Sequence, residues 1–149
     1  MVWAAFGFNG KVSLAFLDGR QNSPKYIETL ENLLMLFAEN IGGGNWEYQH
    51  NNVPIHTSNA TKSYLNAKII TVLEWPPMSP ELNPIGNVWC IMSRNVYENG
   101  GQFYSVNTLK AAIESALYNL EPEILETLIM LFEKLVYDVI LNNGKTLNY

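Results

Sequence analysis

The sequence predicts an α/β fold in which a sheet is covered by helices, and three observations carry that prediction. Short apolar runs rich in aromatic and β-branched residues are interleaved with longer stretches whose apolar positions recur every three or four residues. Their order (strand, strand, helix, strand, helix, strand, then helices) suits a sheet with helices on its faces. Of the 149 residues, 48% are hydrophobic, enough to bury one core in a single globular unit.

Val2 to Phe8 and Val12 to Leu17 flank Asn9-Gly10, a dipeptide that favours a tight hairpin turn. Asp18-Gly19 closes the second strand. Ser23-Pro24 opens a helix to about Asn40, with Tyr26, Ile27, Leu30, Leu33, Leu34 and Phe37 at helical spacing. The glycines at 42 to 44 break the chain, and Trp46 to Asn51 reads as a short strand. Thr57 is placed to cap a brief helix to Ala67, and a strand from Ile69 to Trp75 follows. Three helices complete the chain: Pro84 to Glu98, Val106 to Leu120 and Pro122 to Leu141.

Composition narrows the function. Cys90 is the one cysteine, so no intramolecular disulfide forms and a reducing compartment fits; a small apolar residue on a buried helix face is its plain account. Met1 runs into an apolar stretch without a basic lead, unlike a signal peptide. The apolar region from Ile124 to Leu141 carries Glu126, Glu133, Lys134 and Asp138, too many charges for a membrane span. Nine basic against 14 acidic residues give a net charge of −5, with no basic run. Nucleic-acid binding draws most of its affinity from neutralising phosphates, so autonomous DNA binding is expected to be weak or absent.

The most distinctive stretch runs from Trp75 to Trp89. Its prolines fix φ and hold each preceding residue out of the α region, giving an extended connector between strand and helix. Asn83-Pro84 is a helix start, with Asn as N-cap and Pro in the first turn. Open α/β sheets place their sites where a strand ends and such a helix begins.

Trp75-Pro76, Ser79-Pro80-Glu81-Leu82-Asn83-Pro84-Ile85 and Asn87-Val88-Trp89 resemble the signature W-P-x-x-S-P-D/E-L-N-P-I-E/D-N-x-W around the third catalytic carboxylate of mariner-like DDE transposases. Gln49-His50-Asn51-Asn52-Val53-Pro54-Ile55-His56-Thr57 resembles the family's Q-x-D-N-x-P-x-H-T block around the second. The chain departs from both at the acids themselves: Asn51 stands where the resemblance implies Asp, and Gly86 where it implies Glu or Asp, with 34 residues between them. Met1-Val2-Trp3, Phe16-Leu17-Asp18-Gly19 and the stretch from Asn143-Gly144 to Tyr149 also resemble family segments. The surviving frame is Gln49, Asn52, Pro54, His56, Ser79, Pro80, Leu82, Asn83, Pro84, Asn87 and Trp89.

The resemblance implies a ribonuclease-H-like mixed sheet with flanking helices. It also implies cut-and-paste DNA transposition in the nucleus, by Mg²⁺ or Mn²⁺ held between three carboxylates. Here Asn51 offers a neutral carbonyl and Gly86 no side chain. The first Asp is expected on a strand ahead of the hairpin. The chain therefore reads as a single partial catalytic domain over residues 1–149, without the first, central strand and without an N-terminal DNA-binding domain. No intact catalytic residue, metal site or cofactor is expected. Asp18, Glu47, Glu74 and Glu81 are the nearby acids, and none matches a metal-ligand position; His50 and His56 alone do not make a metal site. Asp to Asn and Glu to Gly each need one purine transition, and Met1 aligns inside the family's first hairpin strand, which together fit a decayed transposon copy. Exposed edges beside the absent strand predict marginal stability or association. The alternative is a non-catalytic interaction module recruited from a transposase, forming a homodimer or assembling with a related transposase. Its surface would be the stripe Leu125, Leu128, Phe132, Leu135 and Val139.

Overall fold

The computed structural model describes residues 1–11, 14–42, 45–75, 79 and 82–142. The N-terminal hairpin forms, but as two antiparallel ladders. Strand β1 (Val2–Trp3) pairs β4 (Ala15–Phe16), with Val2 opposite Phe16; β2 (Phe6–Gly7) pairs β3 (Gly10–Lys11), with Phe6 opposite Lys11. The register shifts by one residue between the ladders. The turn is Phe8-Asn9, one residue earlier than Asn9-Gly10 suggests. Gly10 instead closes the ladder opposite Gly7 at φ 148°, a conformation that glycine adopts without strain.

The next helix is continuous but not uniform. It runs as α1 (Ser23–Thr29), a π-helical turn (Leu30–Leu34) and α2 (Met35–Gly42). Asn22, rather than Ser23, caps it, its side chain accepting the Lys25 N–H at 3.0 Å. Tyr26, Leu30, Leu34 and Ala38 are all buried, at a strict spacing of four. In a pure α-helix such a row drifts by about 40° per step, since four residues exceed the 3.6 of one turn. The wider π turn takes up that drift and keeps the four side chains on one line. Phe37, expected on the buried face, is 39% exposed as a result.

Strand β5 (Glu47–Tyr48) pairs in parallel with β6 (Thr71–Val72), Tyr48 opposite Val72. Between them lie α3 (Pro54–Thr57) and α4 (Asn59–Ala67). The cap of α4 is Ser58, not Thr57: its hydroxyl accepts the Thr61 N–H, while Thr57 turns back to the Val53 carbonyl. The last helices are α5 (Pro84–Val96), α6 (Val106–Tyr118) and α7 (Pro122–Leu141), close to the expected bounds, but Cys90 lies on the exposed face of α5 rather than the buried one, which Val88 and Met92 occupy. Ser105 and Thr108 form a capping box at the start of α6. Gly43, Gly44, Pro76, Pro77, Pro80, Glu81 and the C-terminal stretch from Asn143, each given an expected role by the sequence, lie outside the described residues.

Two cores flank the strands. One gathers Tyr26, Leu30, Leu34, Ala38, Tyr48, Leu65 and Ile70, with Trp3 and Ala5 packed on it. The other gathers Val88, Met92, Ala116, Leu117, Leu120 and Leu125, with Phe6 and Leu14 against it. The hairpin thus sends side chains both ways, as period-two alternation requires. Lys11 ties it to the second layer by donating to the carbonyls of Leu117, Tyr118 and Leu120 at the end of α6. Leu125 and Leu128 of the α7 stripe belong to this core rather than to a free surface.

Candidate functional site

The parallel pair β5–β6 aims its carboxyl ends at one region, and the chain leaves β5 there through Gln49, His50 and Asn51. Leu73 N–H continues the ladder to the Tyr48 carbonyl at 3.0 Å. Below it, the Tyr26 and Tyr48 hydroxyls bond at 2.9 Å in the core. Burial pushes the Tyr48 phenol up to about 12, and pushes Tyr26 up as well, first by desolvation and then by Tyr48.

The two histidines converge on the main chain of position 51. His50 Nδ1 lies 2.9 Å and His56 Nδ1 3.3 Å from the Asn51 carbonyl. A carbonyl only accepts, so both rings carry their proton on Nδ1. His56 stacks on Tyr26 with ring centroids 4.0 Å apart and meets His50 edge-on at 5.6 Å. Burial, and then His50, lower the His56 pKa to about 4; burial also lowers that of His50. These rings are neutral spacers that fix the turn after β5.

Two further bonds join this turn to the segment before α5. The Trp75 indole donates to the His50 carbonyl at 3.0 Å, and the Gln49 side-chain amide donates to the Leu82 carbonyl at 2.7 Å. Leu82 is buried, and its N–H bonds the Ser79 carbonyl. Pro84 sits in the first turn of α5, as expected. Asn83, however, makes no side-chain cap; its backbone is extended, and its carbonyl accepts the Gly86 N–H at 3.0 Å. Asn51, Asn52, Pro54, Gly86 and Asn87 are exposed. Trp89 instead packs on the second core and lines an apolar cavity of about 220 Å³ with Val2, Met92 and Ile113.

The structure therefore links the two motifs by direct bonds, and positions 51 and 86, two and four residues along the chain from Gln49 and Leu82, are both exposed. The residues present do not fit a Mg²⁺ or Mn²⁺ ion. Such hard cations require charged oxygens; Asn51 is neutral and Gly86 bare. Among the described residues no group of three His, Cys, Asp or Glu side chains is placed to hold a metal. A Cβ at Gly86 would meet no atom within 4 Å, so close packing does not require glycine there. Tyr26, Tyr48 and Trp75 are neighbours that the motifs alone do not mark as partners. Only the alternation placing Tyr48 two residues before His50 hints at one of them.

A family profile described as DDE superfamily endonuclease matches residues 1–110. The Tc3 transposase of Caenorhabditis elegans is 34% identical over 149 residues, covering 100% of this chain and 45% of that protein. The Tcb1 transposase of Caenorhabditis briggsae is 30% identical over 129 residues, 87% of this chain and 46% of its own. The chain thus spans about half the length of the curated relatives it matches. Among solved structures, the catalytic domain of the Mos1 mariner transposase superposes with a TM-score of 0.85 at 20% identity, over 99% of this chain and 75% of that one. A Mos1 paired-end complex with the left transposon end gives 0.86 at 19%, over 99% and 44%. That likeness establishes the ribonuclease-H-like fold. Since the family profile covers well over half of the chain and Tc3 transposase is similar along all of it, the chain belongs to the DDE endonuclease superfamily, in its Tc1/mariner transposase branch.

Proposed function

We propose that this chain is a transposase-derived domain in which cation-dependent DNA strand transfer has been lost. The pair of residues at 51 and 86 carries the proposal. A neutral amide and a bare glycine cannot neutralise a divalent ion or orient it toward an attacking oxygen. No Mg²⁺ or Mn²⁺ cofactor is proposed for the present chain. DNA is the proposed partner, a reading supported by the paired-end and strand transfer complexes among its Mos1 neighbours, and the nucleus is the matching compartment. The net charge of −5 supports only weak DNA binding by this chain alone. Among the described residues no helix is long and apolar enough to cross a membrane. The test is incubation with supercoiled plasmid and with transposon-end duplex in Mg²⁺ or Mn²⁺. No nicking above buffer is expected, and metal-dependent nicking by the purified chain would overturn the proposal.

A second reading has its own observation. From its middle onward α7 leaves Met130, Leu131, Tyr137, Ile140 and Leu141 exposed, while Leu125 is in the core. A non-catalytic module dimerising through this helix, or assembling through it with a related transposase, would cover them. Because Leu128 supports the core, the informative substitutions are Leu131→Asp and Ile140→Asp. Loss of a light-scattering dimer in these variants favours this reading; a monomeric parent removes the homodimer.

A further inference from the structure

The hairpin, α5 and α6 meet without filling the space between them. Along α5, Trp89, Met92, Ser93 and Val96 stand at i, i+3, i+4 and i+7 and so share one face; Leu109 and Ile113 stand at i and i+4 on α6. Val2 of β1 lines the same space. Val2, Ser93 and Val96 are short side chains, and between them the structure leaves the cavity of about 220 Å³. Met92, 2% exposed, is its floor, and the exposed Ser93 and Tyr97 stand at its mouth. Protein interiors hold few voids wider than a water molecule, because lining atoms without partners forfeit dispersion contacts. An apolar cavity of about 150 Å³ is known to stay dry and to take up benzene. The larger one here has room for two fused rings.

Its walls are set in advance. Val2 is opposite Phe16, and the Lys110 ammonium lies 5.1 Å from the centre of the Phe16 ring, which holds the strand pair against α6. Tyr97 meets Phe103 edge-on at 5.7 Å, fixing one ring at the mouth. The polar element is Ser93. The helical hydroxyls of Thr29 and Thr127 turn back to the carbonyls of Lys25 and Glu123, four residues earlier, at 3.0 and 2.7 Å. Among the described residues Ser93 makes no such bond to Trp89, which leaves its hydroxyl to serve the rim of an otherwise apolar wall.

We propose that this cavity binds a small planar aromatic molecule of two fused rings, its apolar body against Val2, Met92 and Ile113 and one polar edge on the Ser93 hydroxyl. Apolar walls with a few placed polar groups are the usual make-up of a ligand pocket. The bound molecule joins β1 to α5 and α6, and so stabilises the fold in step with its occupancy. The site does not depend on the residues at 51 and 86, and stands whether or not cation chemistry has been lost.

The experiment titrates the whole chain with indole and with indene, which has the same shape without the N–H, by calorimetry and by melting curves. Indole is expected to bind at one site with a dissociation constant of about 1 mM or tighter, within reach of a ligand of its size, and to raise the melting temperature as its concentration rises. Ser93→Ala is expected to weaken indole about fivefold, the effect of one hydrogen bond, and to leave indene unchanged. Leu109 lines the cavity without belonging to either core, so Leu109→Trp should fill the space, keep the fold and abolish binding of both molecules. No saturable binding by the parent overturns the site, and that arm needs no variant to fold. Undiminished binding by a folded Leu109→Trp overturns its location. Indole affinity unchanged in Ser93→Ala, or lost equally with that of indene, overturns the role of Ser93.

Discussion

Ile69 has φ 58°, the left-handed region, and its side chain is 92% exposed. It stands just past the end of α4, where Ile69 N–H bonds the Asn66 carbonyl and Ile70 N–H the Leu65 carbonyl, both at 3.0 Å. That pair of bonds is a Schellman cap, whose turning residue is most often glycine. A β-branched residue there is strained and gains nothing by burial. Ile69→Gly is expected to stabilise by about 1 kcal/mol, a rise of about 2–4 °C in melting temperature. His56 acts in the opposite sense as pH falls. Its pKa in the fold, about 4, lies below the ordinary value of 6.5, so the unfolded chain binds the proton first. Stability is full above pH 6.5 and is lost as pH falls toward 4, by at most about 2 kcal/mol once partial solvent access is allowed for. His56→Phe, which keeps the stack on Tyr26, should flatten the urea midpoint measured across that window, with His50 supplying the remaining slope. Asn51 and Gly86 are legible in the sequence because they sit inside unbroken strings of uncommon residues. Tyr26 and Trp75 are not, because their partners lie 22 and 25 residues away and no local pattern encodes that distance.

The helices were legible to within a turn because burial repeats along them, and α7 matches its expected bounds, Pro122–Leu141. Caps were harder. Thr57 and Ser58 are both good N-caps by type, and the choice of Ser58 follows from where α3 ends, which the sequence does not mark. The strands β5 and β6 are shorter than their apolar runs suggest, since apolarity extends past the ladder into the turns that build the site. The tie between hairpin and α6 was invisible, because a lone lysine carries no periodic signal. Lys11 nonetheless serves three carbonyls at a helix end, where a cation also meets the negative end of the helix dipole. Lys11→Met should cost about 2 kcal/mol, the range for charge-assisted bonds, read as a lower denaturant midpoint with an unchanged slope.

At the scale of the molecule, two helical layers enclose strands that form three separate two-stranded ladders among the described residues. Each ladder has edges that no other described strand covers, and uncovered edges recruit other chains. The chain is therefore expected to associate as its concentration rises, seen as a growing scattering mass. A sharp, reversible melt of monomer at every concentration would count against this. The overall class was legible because the order of apolar periods is a property of the whole chain. The separation of the ladders was not, since pairing between distant strands leaves no mark in either one.

The π turn between Thr29 and Met35 makes that helix one residue longer than an ordinary spiral with the same inward row would need. Removing the exposed Asn32 would bring the row to steps of four, three and four, the natural stride of an α-helix. A deletion inside a helix commonly scrambles everything beyond it. Here the shortened chain should fold with Leu34 and Ala38 still facing inward, at a melting temperature no lower than the parent's.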